Sequence, residues 1–172
     1  MIGYGLITNS QIKKNINYRW KKFFIDFHFS NKFHPKLIPH ISNWCPPFLF
    51  NTANRNLVPR EPGIYLFFVR PDLQIFNEQS YIMYVGYSMN LYNRYGDYLT
   101  TYKNSDEPNL FDRRLMLNVW ENNLYYTFIN LNGLTEANIQ RIEEKIIDSL
   151  VPPINRDFAN AIIKQQVRLN RT

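Results

Sequence analysis

From Ile64 to Val69 every side chain is bulky and either apolar or aromatic. Strand side chains alternate between two faces, so such a run must be covered on both, as the central strand of a sheet is. Glu61-Pro62-Gly63 supplies the turn that launches it. A second strand is predicted from Tyr81 to Gly86, with Tyr81, Met83 and Val85 on one face and Ile82 and Tyr84 on the other. Arg70 to Ser80 is the polar connection between the two. Leu124 to Leu131 reads as a third strand, closed by an Asn132-Gly133 turn.

Helical periodicity fills the spaces between these strands. Ile12, Ile16, Trp20, Phe23 and Phe27 line one side of a predicted helix from about Gln11 to Phe27, capped by Asn9 or Ser10. The Pro-rich, aromatic stretch from Phe29 to Pro62 is expected to be irregular structure wrapped on the core. Ser88 is placed to cap a helix through about Tyr102, with Leu91, Tyr95, Tyr98 and Tyr102 as its stripe. Asn109 to Glu121 is expected to be helical. Thr135 caps a helix to about Leu150 that buries Ile139, Ile142, Ile146 and Leu150, and Pro152-Pro153 stops it. A last helix is expected near Asp157 to Leu169. The order β-β-α-β-α predicts an α+β fold with a small three-stranded antiparallel sheet flanked by helices. Residues 1–60 form an N-terminal extension packed on the core, 61–156 the core, and 157–172 a basic C-terminal helix or tail.

With 172 residues, 45% hydrophobic and 16% aromatic, the chain is long and apolar enough for one sizeable core. No stretch is apolar for long enough to span a membrane. Polar Thr8-Asn9-Ser10 stands where a signal peptide would carry its apolar centre, and Cys45 is the sole cysteine. Both point to a reducing, cytoplasmic setting. The net charge of +6 favours polyanionic partners. It gathers at Lys13, Lys14, Arg19, Lys21 and Lys22, and again at Lys164, Arg168 and Arg171. Each cluster is either a solvated helix face or a set of phosphate contacts.

Glu143 carries the most chemical information of any single residue. Ile139 and Ile147 stand at i−4 and i+4 and Ile146 at i+3, so its side chain shares the apolar face. Its neighbour Glu144 has Gln140 and Asp148 at those positions and is expected to face water. A carboxylate leaning into an apolar face needs an ion pair or a metal, because desolvating it alone costs several kcal/mol. Arg94, one turn before Tyr98, is either an exposed arginine paired with Asp97 or Asn90, or a planar fork for phosphate oxygens. His28, His34, His40 and Cys45 match no common zinc spacing.

Several of these residues fall in one order: Gly63-Ile64-Tyr65, then Tyr84-Val85-Gly86, then Arg94, then Glu143, then Asn155 after Pro152-Pro153-Ile154. In this order and spacing, from about Glu61 to Arg156, the chain resembles the GIY-YIG nuclease superfamily. The resemblance implies hydrolysis of nucleic-acid phosphodiesters with one Mg²⁺ or Mn²⁺ per active site. It makes Glu143 the metal ligand and Arg94 the catalytic arginine. Tyr65 corresponds to the tyrosine implicated in deprotonating the attacking water, and Tyr84 to an orienting or phosphate-contacting group. Tyr98 falls where restriction-type relatives carry a histidine or tyrosine near the nucleophile, which leaves the base open between Tyr65 and Tyr98. Tyr87 takes a place some relatives give to lysine and cannot supply that charge. Asn155 closes the series, with a bracing role expected.

The activity so implied is a DNA endonuclease leaving 5′-phosphate and 3′-hydroxyl ends, preferably restriction-type, with RNA as the alternative substrate. A repair or mobile-element nuclease and a non-catalytic nucleic-acid-binding domain are the other readings. A palindromic target would call for a homodimer. Folding must bring Tyr65, Tyr84, Arg94 and Glu143 to one concave surface.

Overall fold

The computed structural model describes residues 43–70 and 80–170. The predicted N-terminal helix with Lys13, Lys14, Lys21 and Lys22, the connection 71–79, the three histidines and Arg171 lie outside the described residues. Strands β1 (Phe48–Leu49), β2 (Gly63–Val69), β3 (Tyr81–Ser88) and β4 (Leu124–Asn130) form one sheet in the order β1-β4-β2-β3. Every pairing is antiparallel. The helices are α1 (Leu91–Asp97), α2 (Phe111–Val119), α3 (Glu136–Leu150) and α4 (Ala161–Asn170). No described helix is long and apolar enough to cross a membrane.

Strand β2 is central, as its composition requires, and each face belongs to a separate cluster. Tyr65, Phe67 and Val69 join Tyr84, Tyr126 and Phe128 beneath Leu91, Tyr95, Tyr98, Met116 and Leu117 of the α1 and α2 side. Ile64 joins Val85 and Ile129 beneath Ile139, Ile146, Ile147 and Ile163 of α3 and α4. The sheet is therefore sandwiched between two helical layers, one side strongly aromatic and the other aliphatic. Ile142 and Leu150 pack on the aliphatic cluster but are only partly buried.

Four differences from the sequence reading have identifiable causes. The sheet has a fourth strand rather than three, because the extension pairs Phe48 with Tyr126 and Leu49 with Tyr125. Two residues give no periodicity to read. In β3 the register slips between Phe67 and Phe68, so that Phe67 faces Tyr84 while Phe68 faces Ile82. The extra residue, Met83, is a bulge. It packs with Tyr84 on the aromatic side, while Ile82 joins Val85 on the aliphatic side, which breaks the predicted alternation.

The cap of α1 is Asn90, whose side chain accepts from the Asn93 amide, rather than Ser88. Ser88 Oγ instead donates to the Asn90 carbonyl and accepts from the Asn90 amide, closing the turn before the helix. The helix then widens to a π turn at Tyr98–Tyr102. Finally, α4 starts at Ala161 rather than near Asp157, because the Asp148 carboxylate takes the Ala159 and Asn160 amides into a bend. The Asn160 side chain then accepts from the Ile162 and Ile163 amides as its cap. Thr135, in contrast, caps α3 as predicted, accepting from Asn138.

Two buried tyrosines of the aromatic layer should respond oppositely to loss of the hydroxyl. Tyr95 donates to the Asn51 carbonyl at 2.8 Å and accepts from the Asn51 amide at 3.0 Å. The Tyr126 hydroxyl is buried with no hydrogen-bond partner among the described residues. Tyr95→Phe is expected to lower stability by about 1–3 kcal/mol, and Tyr126→Phe to leave it unchanged or raise it by about 1 kcal/mol. Urea unfolding of both variants checks the pair.

Candidate active site

Tyr65 projects from β2 into the aromatic layer with 1% of its surface exposed. Its cross-strand partner is Gly86. A Cβ at that position would lie 2.4 Å from the Tyr65 hydroxyl oxygen, so any side chain there would displace the phenol. The hydroxyl lies 3.0 Å from the Tyr98 hydroxyl, and either can donate. Tyr84, two residues before Gly86, reaches the same side of the sheet. Helix α1 leaves the end of β3 and brings back Arg94, whose Nε lies 3.8 Å from Asp97 and whose Nη1 donates to the Tyr102 hydroxyl at 3.4 Å.

A cleft of about 520 Å³ collects these groups. Tyr65, Tyr84, Gly86, Arg94 and Glu143 all line it, together with Asn90, Asn93, Asp97 and Glu136. Four of the residues singled out from the sequence thus meet from four different elements. Tyr98 does not line the cleft; it stands behind Tyr65, fully buried. Asn155 is also set back and clamps the open edge of β3. The Val85 amide donates to Asn155 Oδ1 at 2.9 Å, and Asn155 Nδ2 donates to the Val85 carbonyl at 2.8 Å. With the Ile154 amide donating to the Met83 carbonyl at 3.1 Å, this segment acts as a surrogate strand. Tyr84 and Gly86 are held on either side of that clamp. Tyr87 donates to Glu136 at 3.4 Å. Lys164 and Arg168 line neither this cleft nor its neighbour.

The electrostatics follow from burial. Desolvation is the largest influence on Glu143 and pushes its carboxyl up to about 7; Glu144 adds to the effect and Arg113 opposes it. Burial also raises the Tyr65 phenol, with Tyr84 adding to the rise and with Arg94 and the bond from Tyr98 opposing it. Tyr98 is raised by burial and by both neighbouring tyrosines. Both glutamates are partly buried, so Glu144 does not simply face water; it accepts from Gln140 at 3.2 Å, whereas Glu143 has no such donor among the described residues. The two adjacent glutamates therefore sit in different surroundings.

Among the described residues the Glu143 carboxylate has no hydrogen-bond donor and no ion-pair partner. Nor do three or more His, Cys, Asp or Glu side chains cluster there to hold a metal. A lone carboxylate in a polar cleft fits a cation such as Mg²⁺, which keeps several waters and takes phosphate oxygens as further ligands.

Sequence reasoning missed Arg113, whose guanidinium carbon lies 4.8 Å from the Tyr84 ring centroid. The adjacent pair Arg113-Arg114 does not reveal which arginine turns toward the sheet.

No family model and no curated protein matches the chain. Among solved structures it is similar to the GIY-YIG N-terminal endonuclease domain of UvrC from Thermotoga maritima bound to magnesium as its catalytic divalent cation. That match has 21% identity and a TM-score of 0.39, covering 60% of this chain and 92% of the other. A tyrosine-to-phenylalanine mutant of the same domain, bound to its catalytic divalent cation, matches with 20% identity and a TM-score of 0.39, over 60% of this chain and 91% of that one.

The raised carboxyl of Glu143 has a measurable consequence in EDTA. Its folded value of about 7 exceeds the ordinary 4.5, so the folded state binds the proton more tightly. The associated stability is present below the unfolded value and lost as pH rises through 7. Glu143→Gln removes the buried charge and should raise the melting temperature at pH 8 by about 2–4 °C, on the order of 1 kcal/mol after allowing for partial solvation. At pH 4, below the unfolded value, the difference should nearly vanish. Thermal melts at both pH values check this.

Proposed function

We propose that this chain is a divalent-cation-dependent endonuclease of the GIY-YIG type, hydrolysing DNA phosphodiesters to 5′-phosphate and 3′-hydroxyl ends. The observation carrying this reading is the meeting of Tyr65, Tyr84, Arg94 and an unpartnered Glu143 on one cleft. No ordinary packing need explains two tyrosines, a guanidinium and a desolvated carboxylate around the same space.

A Mg²⁺ or Mn²⁺ held by Glu143 would supply Lewis-acid stabilisation of the phosphate charge. Arg94 takes the non-bridging oxygens of the scissile phosphate, its position set by Asp97 and Tyr102. Tyr65 accepts the proton of the attacking water. This step needs its ionised form, which burial opposes and which Arg94 and the bond from Tyr98 favour. As the water oxygen bonds to phosphorus, the bond to the 3′ oxygen breaks in line. The leaving oxygen takes a proton from solvent to give the 3′-hydroxyl. Tyr84 orients the phosphate from the β3 wall, and Asn155 holds that wall in register through Val85.

Restriction of foreign DNA in the cytoplasm is the role we assign. It calls for discrete plasmid fragments that disappear when the target is methylated; cleavage confined to damaged duplexes would assign repair instead. The basic residues Lys164 and Arg168 of α4 would contact the backbone away from the cleft.

Plasmid cleavage should require a divalent cation and stop in EDTA. Glu143→Ala should lower the rate by about a thousandfold with the fold retained by circular dichroism. Tyr65→Phe should lower it by at least about a hundredfold, and Glu144→Ala should be mild. Equal losses from the two glutamate variants would contradict the assignment.

A further inference from the structure

Beside the cleft lies a second concavity of about 590 Å³, and the two share Tyr84 and Glu143 as a common wall. Two arginines, Arg113 and Arg156, line it, and Arg114 follows Arg113 on α2, all three in different circumstances. Arg114 is buried and bound to Asp106 at 2.6 Å and to the Ser105 carbonyl at 3.2 Å. Arg156 gives Nε and Nη2 to one oxygen of Asp112, at 3.2 and 2.9 Å. Arg113 lines the concavity half-buried, with no carboxylate partner and no hydrogen-bond acceptor among the described residues. Its guanidinium lies over the Tyr84 ring at 4.8 Å and the Tyr102 ring at 5.6 Å.

Stacking on aromatic faces holds a guanidinium in place without using its N–H donors. Five donors fixed at the wall shared with Glu143 call for an anionic acceptor, and the planar fork suits a phosphodiester. The other charges of the concavity do not satisfy it. Asp112 is engaged by Arg156 and Glu144 by Gln140. Asp157 and Glu143 line the same space without an ion pair or hydrogen bond to Arg113, although the Glu143 carboxyl feels its charge.

We propose that Arg113 is a second phosphate-binding guanidinium: it grips the phosphodiester next to the scissile one, so the strand runs from the first concavity across Tyr84 and Glu143 into the second. The inference rests on the nuclease reading and adds to it the path of the strand. Arg94 serves the reacting phosphate and Arg113 its neighbour.

The test uses Arg113→Met, which keeps the aliphatic stem, and Arg113→Lys, which keeps the charge. Binding of a mixed-sequence 20-base-pair duplex is measured in Ca²⁺ at several salt concentrations, and plasmid cleavage in Mg²⁺. Arg113→Met should flatten the log–log salt slope by about 0.9, the value of one lost phosphate contact. It should also slow cleavage at least about tenfold. Arg113→Lys should restore the slope but only part of the rate, because the fork is lost. A role in packing alone would leave the slope unchanged.

Phenylglyoxal labelling of the wild-type protein, read by peptide mass, needs no variant: saturating duplex should protect Arg113. An unchanged slope, or labelling that the duplex does not alter, overturns the proposal while a cleaving wild-type protein leaves the nuclease reading intact. A wild-type protein that neither binds the duplex nor cuts plasmid removes both.

Discussion

Tyr65 fits its place because Gly86 stands opposite it. The central strand is buried on both faces, so the phenol has nowhere to go but across the neighbouring strand, and only a residue without a Cβ leaves it room. This one contact fixes the register of β2 against β3. From the register follow the position of Tyr84, the exit of β3 into α1 and the return of Arg94. A larger residue at position 86 would disturb packing and the candidate chemistry together.

The two helical layers divide the work. The aromatic layer surrounds Tyr65 with Phe67, Tyr84, Tyr98 and Tyr126, the last stacked on it at 5.7 Å. Such surroundings hold a phenol in place and, by burial, disfavour the ionised form that the proposed proton transfer needs. The aliphatic layer contributes α3, whose isoleucines anchor the helix while Glu143 reaches the cleft. Burial therefore supplies both orientation and a disfavoured charge, and a bound cation would relieve the second without loosening the first. The Asn155 clamp matters because β3 would otherwise present an open edge beside the cleft.

Much of this arrangement was legible in the sequence. Unbroken apolar character identified β2 as central, and the Asn132-Gly133 turn and Thr135 marked the start of α3. Isoleucine spacing turned Glu143 toward the apolar side, although Glu144 is partly buried as well. The rest escaped for physical reasons. A two-residue strand such as Phe48–Leu49 has no period. The Met83 bulge is a property of the pairing between β2 and β3, not of either strand read alone. Ser88 and Asn90 are both good caps, and only the path of the turn selects Asn90. Arg113 was invisible because nothing in Arg113-Arg114 distinguishes the arginine held by Asp106 from the one stacked on Tyr84.

Crystals soaked in Mn²⁺ test the central claim most directly, through an anomalous difference map of the cleft. The expected result is one strong peak about 2.0–2.3 Å from a carboxylate oxygen of Glu143, facing Arg94, with its remaining ligands solvent. No peak at saturating Mn²⁺, or a peak held by other carboxylates with Glu143 turned away, would contradict it.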